Sequence, residues 1–137
     1  MSGVVDVEAE GGAMANAECG TSLDGAWFAK SATSFTPLTL QNGWHNYADG
    51  TVNAAVRKIS GIVHLEGAMH LGTNPQAFTL PAGFRPAHSV YVTVDANASN
   101  RGHLLIQPNG QVNVFGEQDD QSQVTAFTSL DGVSFAP

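Results

Sequence analysis

The sequence predicts an all-β protein: an antiparallel β-sandwich of jelly-roll-like type in residues 35–137, preceded by a short N-terminal arm with a possible assembly strand in residues 1–34. Three observations support this prediction. Short segments after residue 35 alternate apolar and polar residues with a period of two, which is typical of half-buried strands. Glycine, proline and asparagine cluster between these segments, as turns require. No window of a dozen residues shows a convincing helical period.

Composition and charge exclude several classes of function. Charged residues make up only 12% of the 137-residue chain, and five basic residues leave a net charge of −7. This charge disfavours attraction to nucleic-acid phosphates and to anionic membranes. The single cysteine, Cys19, excludes an intrachain disulfide and a cysteine-based zinc site. The sequence shows neither a membrane span nor a signal-peptide pattern, so if the protein acts outside a cell it needs a route other than a Sec signal, and release by cell lysis is one such route.

A repeated segment stands out in the arm. SLDGAWFA (22–29) shares six of its eight residues with SLDGVSFA (129–136) near the C-terminus. We interpret the first copy as a remnant closing strand that buries Trp27 and Phe28 against a β edge of its own domain or of a neighbouring subunit. The alternative is coincidence, because Leu-Asp-Gly turns are common.

The domain is predicted to contain strands in the following order. Residues 59–71 form one strand, with Gly67 as a bulge or bend. Its inward face carries Ile59, Val63, Leu65, Met69 and Leu71. Residues 89–95 form a strand of β-branched and aromatic residues, and residues 103–116 form a hairpin around a Pro-Asn-Gly turn. Residues 122–137 give a strand, a Leu-Asp-Gly turn and a short closing strand.

A rigid loop, FTLPAGFRP (78–86), is predicted to cross between two strands. Pro81 and Pro86 cannot donate ladder hydrogen bonds, which ends the strand before them. Gly83 is expected to adopt a conformation closed to residues with a Cβ, so that Gly83→Val would destabilise the fold by about 1–3 kcal/mol. Phe84 is expected to place its ring beneath the loop.

Five stretches, taken in order, resemble a known family: NGWHNYADG, VRKISGIVHLEGAM, FTLPAGFRPAHSVYVTV, LLIQPNGQVNVFG and SLDGVSFAP. They are similar to the β-sandwich tip domains of bacteriophage tail fibres and minor tail proteins. The resemblance covers about residues 35–137 and depends most on the LPxGxRP and SLDGxSF patterns. It implies a trimer that contacts the host surface or decorates the virion. Since no coiled coil or collagen-like stalk precedes the domain in this sequence, we expect a small stand-alone virion protein.

The segment NGWHNYADG (42–50) is the candidate ligand site. Trp44 and Tyr47 lie three residues apart in a polar stretch that also contains His45 and Asp49. Aromatic faces next to hydrogen-bonding groups suit sugar rings, so this segment is a candidate glycan-binding site. The alternative is that Trp44 is a core or intersubunit anchor whose Nε1–H donates to a loop carbonyl.

Patterns for metal binding and catalysis are weaker. His64 and His70 fall on one face of the predicted strand, roughly 20 Å apart, so only a ring of either residue around a threefold axis would bind an ion. Glu117, Asp119 and Asp120 lack the calcium-loop pattern, and no G-x-S-x-G motif occurs. We therefore expect no metal site, no cofactor and no enzyme activity.

Two classes of function remain. The first is a structural virion protein of a phage tail, either a minor tail protein or a tail-tip or fibre component. It would assemble as a homo-oligomer, preferably a trimer, attach to other virion proteins and contact the host surface. The second is a carbohydrate-binding adhesin module that recognises cell-envelope glycans, and a capsid decoration protein is a further alternative. The expected location is the virion, at the tail or tail tip.

Overall fold

The computed structural model of the protein describes residues 34–137, apart from the side chain of Asp119. Within this range the chain forms eleven short strands, one helix and three 3₁₀ turns. The strands are β1 (Thr36–Pro37), β2 (His45–Asn46), β3 (Ala55–Ile59), β4 (Ile62–Glu66), β5 (Ala68–His70), β6 (Gln76–Thr79), β7 (Val90–Asp95), β8 (Arg101–Ile106), β9 (Gln111–Gly116), β10 (Thr128–Ser129) and β11 (Ser134–Phe135). The helix, α1, is Gln121–Ala126, and the 3₁₀ turns are Ala82–Phe84, Asn97–Ser99 and Glu117–Asp119.

The strands pair into three antiparallel sheets. Sheet 1 has the order β1-β3-β4-β11, sheet 2 the order β6-β9-β8-β7, and sheet 3 the order β10-β5-β2. Sheets 1 and 3 are connected through β4 and β5, which only Gly67 separates. The prediction of an all-β, antiparallel sandwich is confirmed.

The core lies between the sheets and is formed by the inward side chains of their longer strands. The fully buried members from sheets 1 and 2 are Val56, Val63, Leu104, Ile106, Val112 and Val114. Three further residues are fully buried: Phe78 in β6, Leu80 directly after β6, and Met69 in β5. Because each such side chain contributes about 1.5–3 kcal/mol when removed from water, this cluster is the main source of stability.

The single strand predicted for residues 59–71 is wrong in part, because the chain reverses at Ser60 and Gly61. These two residues have φ values of 49° and 84°, and β3 and β4 pair around them as a hairpin. Two consecutive positive-φ residues form the turn that best matches the twist of paired strands. Three residues predicted to face inward are buried: Val63, Leu65 and Met69.

Gly67 provides the bend that was predicted in this segment. Its φ is +94°, and a Cβ at this position would lie 2.6 Å from the carbonyl oxygen of Val52. The amide of Gly67 donates to Oδ1 of Asp131 (2.8 Å), and its carbonyl accepts from the amide of Leu130 (2.8 Å). The bend transfers the chain from sheet 1 to sheet 3. The predicted inward direction of Leu71 is wrong, since that side chain is 59% exposed.

The strand and hairpin predicted for residues 89–95 and 103–116 are confirmed as β7 and as β8–β9. The β8–β9 ladder runs from the pair Gly102 and Gly116 to the pair Ile106 and Val112. These three strands make up most of sheet 2.

The C-terminal segment differs from its prediction in the first part. Gln121–Ala126 form a helix rather than a strand, and the carboxylate of Asp120 caps it by accepting a hydrogen bond from the amide of Ser122 (3.0 Å). Six residues are too few for a helical period to be recognised in sequence. The remainder agrees with the prediction: β10, a turn through Leu130–Gly132, and β11 paired with β4.

The loop after β6 contains the 3₁₀ turn Ala82–Phe84, and the Phe84 ring packs against the core as predicted. The expectation for Gly83 is wrong. Its φ lies outside the left-handed region, and a Cβ at this position would have no neighbouring atom within 4 Å. The structure therefore provides no steric reason for a glycine here.

Trp27 and Phe28, with the rest of the first SLDG copy, lie outside the described residues. The division into an arm and a sandwich domain therefore stays a prediction, as does the assembly role of those two side chains. In the part of the chain that is described, no helix has the length and apolar character needed to cross a membrane.

Candidate functional site

The segment predicted to bind a glycan is anchored by its tryptophan in the core. Trp44 is 3% exposed, and its Nε1 donates a hydrogen bond to the backbone oxygen of Asn74 (2.8 Å). A Cβ on Gly72 would lie 2.0 Å from Cε2 of Trp44, so the indole packs directly against that backbone. Trp44 is thus a core anchor with its N–H bound to a loop carbonyl, and it has no open face to offer a sugar.

The other three residues of that segment lie nearer the surface. His45 and Asp49 are exposed. Tyr47 is half-buried and makes edge-to-face contacts with His70 (5.2 Å between ring centroids) and Phe127 (5.0 Å). Glycan binding by His45, Tyr47 and Asp49 stays a prediction.

The two histidines predicted to share a strand face do not share a strand. His64 lies in β4 of sheet 1, opposite Arg57, whereas His70 lies in β5 of sheet 3, opposite His45. The bend at Gly67 separates them. Among residues 34–137, no group of three or more His, Cys, Asp or Glu side chains is placed to hold a metal ion.

A row of three rings crosses the outward face of sheet 2. Every second side chain of β7, β8 and β9 points away from the core, which places Tyr91, His103 and Phe115 on this face. Ring centroids are 6.1 Å apart for Tyr91 and His103 and 5.3 Å apart for His103 and Phe115. His103 and Phe115 are stacked at an interplanar angle of 29°, whereas Tyr91 is tilted by 40° relative to His103. Tyr91, which is 69% exposed, is the open end of this aromatic row.

A polar cleft adjoins the aromatic row at the start of β8. Its first part, of about 200 Å³, is lined by Thr93, Arg101, Gly102, His103 and Glu117. Its second part, of about 250 Å³, shares the arginine and the glutamate and adds Asn100, Gln118, Asp120 and Gln123. Because His103 belongs to both the row and the cleft, an aromatic surface and hydrogen-bonding groups meet in one place.

The cleft has more negative than positive groups. Nη2 of Arg101 lies 3.6 Å from Oε1 of Glu117, and both side chains are about half exposed. Asp95 lies opposite Arg101 in the β7–β8 ladder. The hydroxyl of Ser122, and to a lesser extent its backbone amide, donate hydrogen bonds to the Asp120 carboxylate and hold the pKa of that carboxyl below its usual range. The Asp120 carboxyl is therefore charged at neutral pH. One guanidinium therefore faces three carboxylates.

A tight backbone crossing after β9 builds one wall of the cleft. The amide of Gly116 donates to Oε1 of Gln121 (3.0 Å), and Nε2 of Gln121 donates to the carbonyl of Val114 (2.7 Å). A Cβ on Gly116 would lie 1.9 Å from the carbonyl oxygen of Asp120, so the following segment passes in direct contact with the end of β9. This crossing positions Glu117 and Asp120 at the cleft.

Sequence reasoning missed the aromatic row, although part of its signal was present. The alternation in SVYVTVD and HLLIQPNGQVNVFG assigns Tyr91, His103 and Phe115 to the faces opposite the buried aliphatic residues. The missing information was the sheet order β9-β8-β7, which brings the three rings side by side.

Sheet 1 carries a second cluster of ionisable residues on its outward face. Arg57 is 3% exposed, and its guanidinium carbon lies 4.2 Å from the centroid of the Phe35 ring. Burial lowers the pKa of His64, and the charge of Arg57 lowers it further. Burial also raises the pKa of Glu66, with repulsion from Asp131 adding to this rise and Arg57 opposing it. The surroundings of Glu66 therefore disfavour its charged form.

Glu66→Gln is expected to stabilise the protein at neutral pH. When folding raises the pKa of a carboxyl, the protonated carboxyl contributes fully to the stability of the folded protein at pH values below its pKa in the unfolded chain. That contribution is lost as the pH rises through its pKa in the folded protein. Glutamine stays neutral and avoids this loss. In thermal unfolding, the variant should have a higher Tm than the wild type at about pH 7, and the difference should shrink as the pH falls towards about 4.

Glu117→Gln is the matched control, because this carboxylate belongs to an exposed ion pair and should give no such gain. A Glu66→Gln Tm at or below that of the wild type at neutral pH would contradict the expectation.

Comparisons with known proteins give a likeness of fold. No protein-family model matches the sequence, and no curated protein matches it. The fold is similar to that in the crystal structure of the receptor binding protein (gp15) of Listeria phage PSA, with a TM-score of 0.58. The two sequences are 22% identical over an alignment that covers 94% of this chain and 80% of that one. The chain therefore shares its β-sandwich fold with a phage receptor-binding protein.

Proposed function

We propose that the protein is a receptor-binding component of a bacteriophage tail, located in the virion as a minor tail or tail-tip protein. The observation that carries this proposal is the likeness of its fold to that of a phage receptor binding protein, in an alignment that covers 94% of this chain. The five sequence stretches similar to phage tail-tip domains support it from a separate direction. A fold alone hosts many functions, so the surface must also fit the role.

The surface of sheet 2 fits that role. It presents the aromatic row, with Tyr91 open to solvent, next to a cleft of hydrogen-bonding groups. A glycan of the host envelope is the receptor class that such a surface suits, because sugars combine apolar C–H faces with hydroxyl groups. In this proposal the protein binds its receptor and does not transform it.

The protein is further proposed to act as a homo-oligomer, preferably a trimer, attached to other virion proteins. Val52 and Leu71 are 55% and 59% exposed and flank the Gly67 bend and β5, which makes that region the more apolar candidate for a subunit contact. Sedimentation equilibrium that detects only monomer at micromolar concentration would contradict the oligomer. A capsid decoration protein is the alternative placement, and electron microscopy of antibody-labelled particles separates the two.

The receptor-binding function is tested with fluorescently labelled full-length protein and a panel of bacterial strains of both envelope types. We expect the protein to label a restricted subset of strains, since a receptor-binding protein recognises a structure that varies between strains. Periodate oxidation of the cells should abolish labelling, because it cleaves sugar rings, whereas protease treatment should leave labelling unchanged.

Serum albumin labelled with the same dye is the control for nonspecific adhesion. Equal labelling of all strains, or labelling of none, would contradict a receptor-binding function. Labelling that protease removes and periodate leaves would keep the receptor-binding function but would assign a protein receptor.

A further inference from the structure

We infer that the aromatic row and the cleft together bind an uncharged sugar chain, one ring of which stacks on Tyr91 while a neighbouring part of the chain lies in the cleft. This inference deepens the proposed function and rests on it for its biological meaning. It assigns the ligand contacts to sheet 2 instead of the segment 42–50, and it excludes ligands that bind through a phosphate or carboxylate group.

The stacking platform follows from the exposure of the rings. His103 and Phe115 are half-buried and cover part of each other's faces at a centroid distance of 5.3 Å and an interplanar angle of 29°. Tyr91 is inclined by 40° to His103 at 6.1 Å and is 69% exposed, so its outer face remains open. An open tyrosine ring supported from one side by a second ring is a rigid apolar surface on which the C–H face of a pyranose can stack.

The size of the cleft limits the ligand. Each of its two parts, of about 200 and 250 Å³, is smaller than the roughly 300–1,000 Å³ typical of sites for drug-sized molecules. Each part therefore suits one sugar unit of a chain, and a further unit reaches the ring of Tyr91, which lines neither part. The hydroxyl of Thr93 and the side chains of Asn100 and Gln123 supply donors and acceptors for the hydroxyl groups of the sugar.

Charge selects among sugars. Arg101 already lies near Glu117, while Asp95 and Asp120 add two further carboxylates in and beside the cleft. An anionic ligand would therefore meet three carboxylates for one shared cation, within a protein whose net charge is −7. Like charges at this range are repulsive, so the cleft discriminates against phosphate and carboxylate groups.

A second copy of this chain is the competing occupant of the same surface. The cores of protein interfaces are depleted of charged residues, whereas Arg101, Glu117 and Asp95 lie at the cleft beside His103. The charged surroundings therefore favour a small polar ligand over a subunit contact.

The test uses full-length protein and matched pairs of small probes in saturation-transfer NMR titrations. The first pair is maltose and maltose 1-phosphate, and the second is lactose and 3′-sialyllactose. We expect at least one of the two neutral probes to bind, and its anionic partner to bind about tenfold more weakly or not at all. Raising NaCl from about 0.05 M to about 0.5 M should leave binding of the neutral sugar unchanged, because no ion pair is formed with it.

Four variants assign the contacts to residues. Tyr91→Ala should weaken binding by about tenfold, whereas Tyr91→Phe, which keeps the ring, should retain most of it. Glu117→Gln should reduce the discrimination against maltose 1-phosphate, because it removes one of the three carboxylates in and beside the cleft. The exposed double variant His45→Ala/Asp49→Ala is the matched control for the segment 42–50 and should bind as the wild type does.

Several outcomes would overturn the inference. The first two are that neither neutral sugar binds, or that an anionic probe binds as tightly as its neutral partner or more tightly. The other two are that Tyr91→Ala binds the sugar with unchanged affinity, or that His45→Ala/Asp49→Ala loses binding. A Tyr91→Ala protein with an altered sedimentation mass would assign the row to a subunit contact instead. Strain-selective labelling of cells without sugar binding would leave the proposed function standing, whereas sugar binding without any labelling would refute the function and keep the sugar site.

Discussion

Trp44→Ala is expected to destabilise the protein by about 3–5 kcal/mol and to lower its Tm by roughly 10–20 °C. The indole is 3% exposed and packs against the backbone of Gly72, so its removal leaves a cavity that rigid backbone cannot fill. It also leaves the carbonyl of Asn74 without its side-chain donor. Chemical denaturation followed by circular dichroism measures the loss.

Trp44→Phe is the matched variant, because it keeps an aromatic ring and removes the Nε1–H. It should cost less than the alanine variant, with about 1 kcal/mol of the loss due to the hydrogen bond to Asn74. A Trp44→Ala protein as stable as the wild type but unable to bind sugar would contradict the core role and restore the stacking role expected from sequence.

Gly116→Ala is expected to cost about 3 kcal/mol and to disrupt the cleft at the same time. The added methyl carbon would lie 1.9 Å from the carbonyl oxygen of Asp120 and 2.5 Å from its carbonyl carbon, so the backbone itself must move. This movement displaces Glu117 and Asp120 from the cleft. The variant should therefore lose both melting temperature and the discrimination between neutral and anionic sugars.

Gly83→Ala serves as the control for a glycine substitution as such. A Cβ on Gly83 meets no atom within 4 Å, so the change should alter stability by no more than about 0.5 kcal/mol. Equal destabilisation by the two substitutions would contradict the steric argument for Gly116.

The sequence predicted the fold class because strand alternation is local information. β7, β8 and β9 were all foreseen, since their inward aliphatic residues recur at every second position over at least six residues. The turn at Ser60 and Gly61 was missed because Ile59, Val63 and Leu65 keep a period of two across it, which is typical of one continuous strand. The helix α1 was missed because it spans fewer than two helical turns.

The location of the candidate site was harder to predict, because burial depends on distant residues. Trp44 appears in the sequence among polar neighbours, yet Gly72 and Asn74, about thirty residues later, enclose its ring. Tyr91 appears in an apolar strand, yet its side of sheet 2 faces solvent. Local sequence therefore could not decide which of these two aromatic residues would be open to a ligand.

The lengths of the edge strands have a consequence for how the protein behaves when many copies are crowded together. Sheets 1 and 3 end in strands of only two residues on both sides: β1, β11, β10 and β2. β6, one edge of sheet 2, has four residues and a register shift. Such short or irregular edges present few free backbone donors and acceptors, which protects against aggregation by edge-to-edge pairing. Among the described strands, the six-residue β7 is the longest sheet edge, so a strand added by another chain would be directed to the same sheet that carries the aromatic row.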